Sequence, residues 1–83
     1  MKKKDWSVYI LECNDGKLYT GISNDVARRV LRHNEGKGCR FTKCRYPVQL
    51  LYQEKCRTMS TARKRELEIQ SFTRDKKLEL INR

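Results

Sequence analysis

The amino-acid sequence predicts a small mixed α/β domain built around one sheet-and-helix core. Its 83 residues are too few for two independent cores, and a hydrophobic fraction of 37% suffices for one. Residues 6–12 and 18–22 are rich in β-branched and aromatic types, which favours strands, and apolar residues at helical spacing follow them. We therefore expect a single domain over 1–83, with its core at about 6–81.

The segment 13–17 predicts how the first two strands are joined. Its Asn-Asp-Gly centre favours a three-residue hairpin loop, in which a type I turn is followed by Gly16 in the left-handed conformation. This loop places Tyr9 opposite Gly21, which leaves open space there, and puts Tyr9 and Tyr19 on one face, roughly 7 Å apart at their Cα atoms. A two-residue turn would send the tyrosines to opposite faces. The remaining face is a hydrophobic wall of Val8, Ile10, Leu18 and Ile22.

Capping signals predict where the first helix begins and ends. Ser-Asn-Asp at 23–25 supplies capping oxygens, and Gly36 is a suitable C-terminal stop. Arg29 and His33 are four residues apart and therefore share one flank of this helix. After this helix we expect a basic connection with a short helical turn at about 40–44, and then a third strand at 48–54, after Pro47. Two further helices are expected at about 60–72 and 74–82.

Glu66 is the most unusual residue of the pattern. It follows Ala62 by four positions and precedes Ile69 by three, which places it on the inward stripe of its helix. A carboxylate in that position is costly unless it is paired or bound to a metal. Two explanations stay open: a salt bridge to an arginine, or a Mg²⁺ ion whose remaining ligands are waters and a substrate phosphate.

The charge of the chain points to a polyanionic partner. Twenty Lys and Arg against ten Asp and Glu give a net charge of +10, and such an excess attracts phosphates. A basic surface that serves only solubility is the alternative, but the arginines gather beside the proposed site, at 28, 29, 32, 40 and 45. An anionic membrane fits less well, because no segment combines a basic face with a broad apolar face.

Compartment and cysteine usage favour a cytoplasmic protein with free thiols. No apolar run approaches the roughly 18 residues of a membrane span, and the lysines at 2–4 are not followed by a signal-peptide apolar region. The four cysteines, at 13, 39, 44 and 56, form no Cys-x-x-Cys pair. Zinc binding by His33, Cys39 and Cys44 is a weaker alternative because the spacing fits no usual zinc site, and a disulfide framework is weaker still.

Taken together, these residues resemble a known family. Ser7-Val8-Tyr9 and, ten residues on, Tyr19-Thr20-Gly21 are followed by Asn24, Arg29, His33 and Glu66, an order and spacing similar to the GIY-YIG nuclease domain. The likeness is greatest to small single-domain bacterial members. It implies a three-stranded antiparallel sheet flanked by helices. The departures are that Ser7 and Val8 replace Gly-Ile and Thr20 replaces Ile, and neither removes a reacting group.

The resemblance also implies roles for the matching residues. Glu66 corresponds to the metal-binding glutamate and would hold one Mg²⁺ or Mn²⁺, Arg29 would hold the phosphate, and His33 stands where members carry histidine or tyrosine. Tyr9 and Tyr19 are the motif tyrosines; one would position and deprotonate the attacking water, and the choice between them is open. Phosphate contacts are expected from Asn24, Arg28, Arg32, Lys37, Arg40, Lys43 and Arg45.

The predicted function is therefore metal-dependent hydrolysis of DNA by a monomeric endonuclease, acting at branched or damaged DNA, with a protein partner for targeting as an option. The first alternative is a nucleic-acid-binding or adaptor module on the same fold, inactive alone or targeted by a partner. The second is a zinc-stabilised basic interaction domain.

Overall fold

A computed structural model describes residues 5–37 and 46–82, which form one antiparallel sheet and three helices. The strands lie in the order β2-β1-β3 and both pairings are antiparallel. The predicted α+β architecture is thereby confirmed. In chain order the elements are β1 (Trp6–Glu12), β2 (Leu18–Ser23), α1 (Val26–Asn34), β3 (Gln49–Cys56), α2 (Met59–Gln70) and α3 (Arg74–Ile81).

Element boundaries differ most from expectation at β3. This strand continues to Cys56 because its pairing with β1 extends to the first residue of that strand, Trp6. The second long helix begins at Met59, since the Thr58 side chain accepts a hydrogen bond from the Thr61 amide at 3.1 Å and caps it. The helical turn expected at about 40–44 lies outside the described residues.

The loop between β1 and β2 has the predicted three-residue form. The Cys13 amide donates to the Lys17 carbonyl at 2.8 Å, so these two residues close the hairpin around the loop. Gly16 has a φ of 83°, the left-handed conformation that this loop requires and glycine adopts most readily. The resulting register pairs Tyr9 with Gly21, as predicted, and the two motif tyrosines lie on the same face.

Both faces of the sheet are covered, each by a different set of helices. On one face α2 and α3 contribute to a buried apolar cluster of Val8, Ile10, Ala62, Ile69 and Leu80. On the other face, α1 and the segment before β3 contribute to a second cluster, formed by Tyr9, Leu11, Cys13, Val26 and Val48. The two clusters alternate along β1, as the period of a strand requires. Among the described helices, none is both long and apolar enough to cross a membrane.

Candidate active site

The two motif tyrosines meet on the α1 side of the sheet. The ring centroids of Tyr9 and Tyr19 lie 6.2 Å apart with an angle of 50° between the ring planes. Tilted pairs at this separation are favourable for aromatic rings because an edge of one ring faces the electron-rich surface of the other. The diagonal arrangement predicted from the hairpin register is therefore present.

Gly21 lies directly beneath the pair, but the expected open space is occupied. A Cβ atom at Gly21 would lie 2.7 Å from the hydroxyl of Tyr9 and 3.0 Å from Cε2 of Tyr19. The sequence prediction of an open space was wrong because the Tyr9 side chain folds over the strand instead of standing away from it. The glycine is what allows this close approach of ring and backbone.

His33 completes the cluster from the last turn of α1. Its Nε2 lies 3.3 Å from the Tyr9 hydroxyl, and its ring centroid lies 5.4 Å from that of Tyr19. Tyr9, Tyr19 and His33 thus contact one another, although 24 residues separate Tyr9 from His33 in the chain. Arg29 lies one helical turn earlier on α1, on the flank predicted to carry both residues.

The end of α1 is fixed by two separate contacts. Gly36, at a φ of 76°, donates from its amide to the His33 carbonyl, and the Lys37 amide donates to the Arg32 carbonyl at 2.9 Å. These bonds form a Schellman motif, which stops the helix as predicted. Asn34 joins the helix to the chain before β3, because its side-chain oxygen accepts from the Val48 amide at 2.5 Å. The helix end that carries His33 is therefore fixed both by its own capping bonds and by the bond to the chain before β3.

The imidazole of His33 is buried, with 0% of the residue exposed. Burial, together with the positive charge of Arg29, lowers its pKa below the ordinary value of 6.5. The ring is therefore neutral at neutral pH, and one of its nitrogens can accept a proton. Its contact with Tyr9 is a hydrogen bond whose direction depends on which nitrogen of the ring carries hydrogen.

The two tyrosines differ in their access to solvent. Tyr9 is 1% exposed, whereas Tyr19 is only partly buried. Tyr19 is therefore the motif tyrosine that a water molecule or a phosphate can approach from outside. Tyr9 contacts His33 and Tyr19 from within the core.

An open, basic depression lies at the start of α1, and its lining includes Arg29, one helical turn before His33. Six polar side chains before and along the first two turns of the helix line it: Ser23, Asn24, Asp25, Arg28, Arg29 and Arg32. All three arginines are exposed. The Asp25 carboxylate is already engaged, since it caps α1 by accepting from the Arg28 amide at 3.3 Å. The predicted phosphate contacts Asn24, Arg28 and Arg32 thus lie together, next to Arg29.

Glu66 lies on the inward stripe of α2 as predicted, with its side chain 8% exposed. Two other residues of this stripe, Ala62 and Ile69, belong to the buried cluster that contains Val8. One oxygen of Glu66 accepts a hydrogen bond from Nη1 of Arg63 at 2.7 Å. The arginine salt bridge that the sequence left open is therefore present, and the carboxylate retains a second oxygen.

The donor set around Glu66 suits a hard cation only in combination with other ligands. Among residues 5–37 and 46–82, no group of three or more His, Cys, Asp and Glu side chains could enclose a metal ion. A single carboxylate agrees with Mg²⁺, which usually keeps several waters and binds substrate phosphates. Elsewhere in the sheet, the hydroxyl of Thr20, which pairs with Ile10, is buried without a hydrogen-bond partner.

Sequence reasoning missed the roles of two residues in these surroundings. Arg63 was not singled out, although its spacing of three from Glu66 on a helix was a sufficient signal. Asn34 was not singled out, and no local pattern predicts its bonds to Val48, which lies 14 residues away. Lys37, the remaining predicted phosphate contact among the described residues, is exposed and lies just beyond the end of α1.

The remaining predictions concern cysteines and the basic connection. Cys13 is buried and Cys56 is partly buried, and neither forms a disulfide with another described residue. Burial raises the pKa of the Cys56 thiol, which makes it less reactive. The predicted phosphate contacts and zinc candidates in the connection lie outside the described residues: Cys39, Arg40, Lys43, Cys44 and Arg45.

Comparison with known families identifies the domain. The model of the GIY-YIG catalytic domain matches residues 5–79. The chain belongs to the GIY-YIG family. The match includes both tyrosines, His33 and Glu66, and the resemblance read from the sequence is thereby confirmed. A GIY-YIG domain places the protein in a family of nucleases.

Relatives and solved structures extend over nearly the whole domain. A UPF0213 protein of Staphylococcus epidermidis is 57% identical over 74 residues, covering 89% of this chain and 90% of the relative. A UPF0213 protein of Staphylococcus saprophyticus is 53% identical over 75 residues, covering 90% and 92%.

Two solution NMR structures share the fold. The UPF0213 protein of Bacillus halodurans is 38% identical, with a TM-score of 0.61, and the match covers 94% of this chain and 83% of that one. A protein of E. faecalis is 34% identical, with a TM-score of 0.65, and the match covers 98% and 86%. This GIY-YIG domain thus resembles small bacterial proteins of similar length.

Proposed function

We propose that this GIY-YIG domain is a divalent-metal-dependent endonuclease that hydrolyses DNA phosphodiester bonds. The observation that carries the proposal is the contact of Tyr9, Tyr19 and His33, together with Arg29, an exposed arginine one helical turn before His33. Hydrolysis of a phosphodiester needs a group that positions water and a positive charge that neutralises the phosphate, and a motif tyrosine and Arg29 would supply them. Branched or damaged DNA is the proposed substrate, and the protein acts as a cytoplasmic monomer.

Tyr19 is the proposed contact of the attacking water, because it is the more accessible of the two tyrosines. An ordinary tyrosine hydroxyl titrates near 10, so it must lose its proton with help from nearby positive charge before it can act as a base. Tyr9 and the neutral His33 hold the Tyr19 ring from below, through ring contacts of 6.2 and 5.4 Å. The chemical step thus depends on the hydroxyl of a partly buried tyrosine and on two buried side chains that support its ring.

Arg29 is the proposed phosphate ligand. It is exposed, lines the basic depression and lies close enough to His33 to lower the pKa of that histidine. A guanidinium offers paired N–H donors that match two phosphate oxygens, and it stabilises negative charge that develops in the transition state. Arg28 and Arg32 extend the same surface and would bind neighbouring phosphates.

Glu66 is the proposed protein ligand of the divalent ion, Mg²⁺ or Mn²⁺. When bound, such an ion neutralises a phosphate oxygen and the leaving oxygen. The contribution of the chain is a largely buried carboxylate of fixed position, with one oxygen already bonded to Arg63. Substrate phosphate and water would supply the remaining ligands.

The deciding experiment is plasmid nicking in Mg²⁺ or Mn²⁺ by the wild type and by Glu66→Gln. We expect the substitution to lower the rate at least ~100-fold, the usual scale for loss of an electrostatic contribution to the transition state. Glu68→Gln is the matched control, since Glu68 lies on the same helix, two positions on, and is exposed. Equal nicking by wild type and Glu66→Gln would refute the proposal, because the activity would then come from a contaminant or another site.

One observation favours the alternative of a nucleic-acid-binding or adaptor module. Glu66 pairs with Arg63, as a purely structural carboxylate would. A binding module would bind branched DNA with strong salt dependence and would cut none of the branched, flapped or damaged substrates in either metal. Cleavage by the wild type that is lost in Arg29→Ala, with binding retained, would exclude it.

A further inference from the structure

The Arg63–Glu66 pair is unequal in its exposure to solvent. The side chain of Arg63 is 60% exposed, whereas that of Glu66 is 8% exposed, and Nη1 lies 2.7 Å from Oε1. The carboxylate is therefore held in place by the fold, while the guanidinium reaches it from the surface and can leave without disturbing the core. Separation of the two leaves a charge in a poorly solvated position, so the carboxylate needs another cation when Arg63 departs.

The neighbouring arginine of the same helix shows the contrast. Arg65 is 26% exposed and bonds two carboxylates, Glu54 on β3 and Glu68 on its own helix. Two ion pairs and partial burial hold it in one position. Arg63 pairs only with Glu66 among the residues that the structure describes, and more than half of its side chain is in solvent. Of the two, Arg63 is the one free to exchange partners.

A divalent ion and the guanidinium compete for the same carboxylate. A Mg²⁺ ion binds carboxylate oxygen at about 2.0–2.1 Å, which would bring two positive charges close to Nη1 of Arg63. The repulsion is strongly screened at an exposed guanidinium, yet it acts against metal binding in the free protein. A phosphate that approaches Glu66 together with the ion offers the guanidinium an alternative partner of matching geometry.

We propose that Arg63 couples metal binding to DNA binding: it neutralises Glu66 in the free protein and transfers to a DNA phosphate when the ion binds Glu66. This inference rests on the proposed role of Glu66 as metal ligand. Its consequence is that the free protein binds the ion weakly, and that the ion and DNA assemble together. Arg63 is then a positioning residue and a phosphate ligand.

The first test measures Mn²⁺ binding to the full chain without DNA, by electron paramagnetic resonance of the free ion. Arg63→Gln should bind Mn²⁺ roughly three- to tenfold more tightly than the wild type, because a screened positive charge beside the carboxylate is removed. Arg63→Lys retains the charge and should resemble the wild type. Lys64→Gln removes an equal charge from the next exposed position of the helix and should also bind Mn²⁺ like the wild type.

The second test measures binding to a short phosphorothioate duplex, which resists cleavage, over a range of salt concentrations. In EDTA the wild type and Arg63→Gln should show the same dependence on salt, because Arg63 remains on Glu66. With Mn²⁺ present, the slope of log affinity against log salt should be smaller by about 0.9 in Arg63→Gln, the amount for one phosphate contact. Circular dichroism establishes that each variant is folded.

The outcomes separate failure of the inference from failure of the proposed function. Loss of Mn²⁺ binding in Glu66→Gln, with unchanged or weaker binding in Arg63→Gln, overturns the inference and leaves the metal role of Glu66 intact. Mn²⁺ binding that is unaffected by Glu66→Gln overturns both. The inference is also overturned if Arg63→Gln lowers the slope of log affinity against log salt equally in EDTA and in Mn²⁺. Arg63 would then contact DNA without exchanging partners.

Discussion

The two faces of the sheet are made from the same strands but are covered by different kinds of side chain. The face under α2 and α3 is closed by aliphatic side chains, among which Val8, Ile10 and Ile69 are 0% exposed. The face under α1 combines apolar side chains with rings that have polar ends, and Tyr9 and His33 are joined there by a hydrogen bond. The first face is tolerant of exchanges between similar apolar residues, whereas the second depends on the positions of single atoms.

The difference teaches that the site depends on the hairpin register as much as on its own residues. Side chains alternate along β1, so a slip of one residue would move Tyr9 to the α2 face and Val8 to the α1 face. The Gly16 loop prevents this slip. The apolar cluster also stabilises the observed register, because a slip of one residue would remove Val8 and Ile10 from the cluster. The following predictions test the two faces against each other.

The largest effect is expected on the aliphatic face. Ile69→Ala should lower the free energy of unfolding by about 2–5 kcal/mol, because it removes apolar contacts and leaves a cavity in a fully buried position. Leu67→Ala, on the same helix at 52% exposure, should change it by no more than about 0.5 kcal/mol. Urea unfolding followed by circular dichroism measures both; equal losses would mean that α2 is not packed as described.

The next largest effect is expected at Gly21. Gly21→Ala should cost about 1–3 kcal/mol, because the new Cβ would lie 2.7 Å from the Tyr9 hydroxyl and force the ring to move. Tyr9→Phe removes that hydroxyl, so the double variant should be more stable than the sum of the two single losses predicts. Strict additivity in urea unfolding would show that the ring does not lie over Gly21.

The pH dependence of stability should report His33, the single histidine of the chain. Well above pH 6.5 the ring is neutral in the folded and the unfolded protein and has no effect on the pH dependence of stability. As the pH falls through 6.5, the unfolded chain takes up a proton first, because the folded pKa is lowered. Stability should then fall by at most ~1.4 kcal/mol per pH unit until the folded imidazole is protonated as well.

Unfolding at pH 7.5 and pH 5.5 checks this pH effect, with His33→Gln as the control. In the variant, the part of the pH dependence of stability that comes from histidine should be absent, while the part that comes from carboxylates should remain. An equal pH dependence in both proteins would contradict a buried neutral imidazole.

The smallest effect is expected from the hydrogen bond between the two buried rings. Tyr9→Phe should destabilise the protein by about 1 kcal/mol, since it deletes one hydrogen bond between two buried side chains. Tyr46→Phe, at a tyrosine that is 47% exposed, should have almost no effect. If Tyr9→Phe were neutral in stability, the contact at 3.3 Å would not be a stabilising hydrogen bond.

Local patterns were sufficient for most of the fold and for part of the site. The Asn-Asp-Gly loop predicted the strand register, and with it the meeting of Tyr9 and Tyr19, because a loop of this length closes only one set of pairs. Capping residues predicted α1 within a few residues of its ends. Burial of Glu66 followed from helical spacing alone. Each of these inferences involves residues that are near one another in the chain.

Contacts between distant segments were the ones that local patterns could not supply. The sequence placed His33 on the correct flank of α1, but its complete burial and neutral state arise from packing against β1 and β2, and from the clamp between Asn34 and Val48. Exposure of Tyr19 relative to Tyr9 likewise depends on the helix that covers them.

By itself, the sequence determined the order of the elements, the hairpin register, the excess of positive charge and the residues available for chemistry. The tertiary structure alone decided that Tyr9 lies over Gly21 and that Glu66 is bonded to Arg63. The physical reason is that spacing along a strand or helix sets the direction of a side chain. Its depth, its partner and its charge state depend on which other elements the whole fold brings against it.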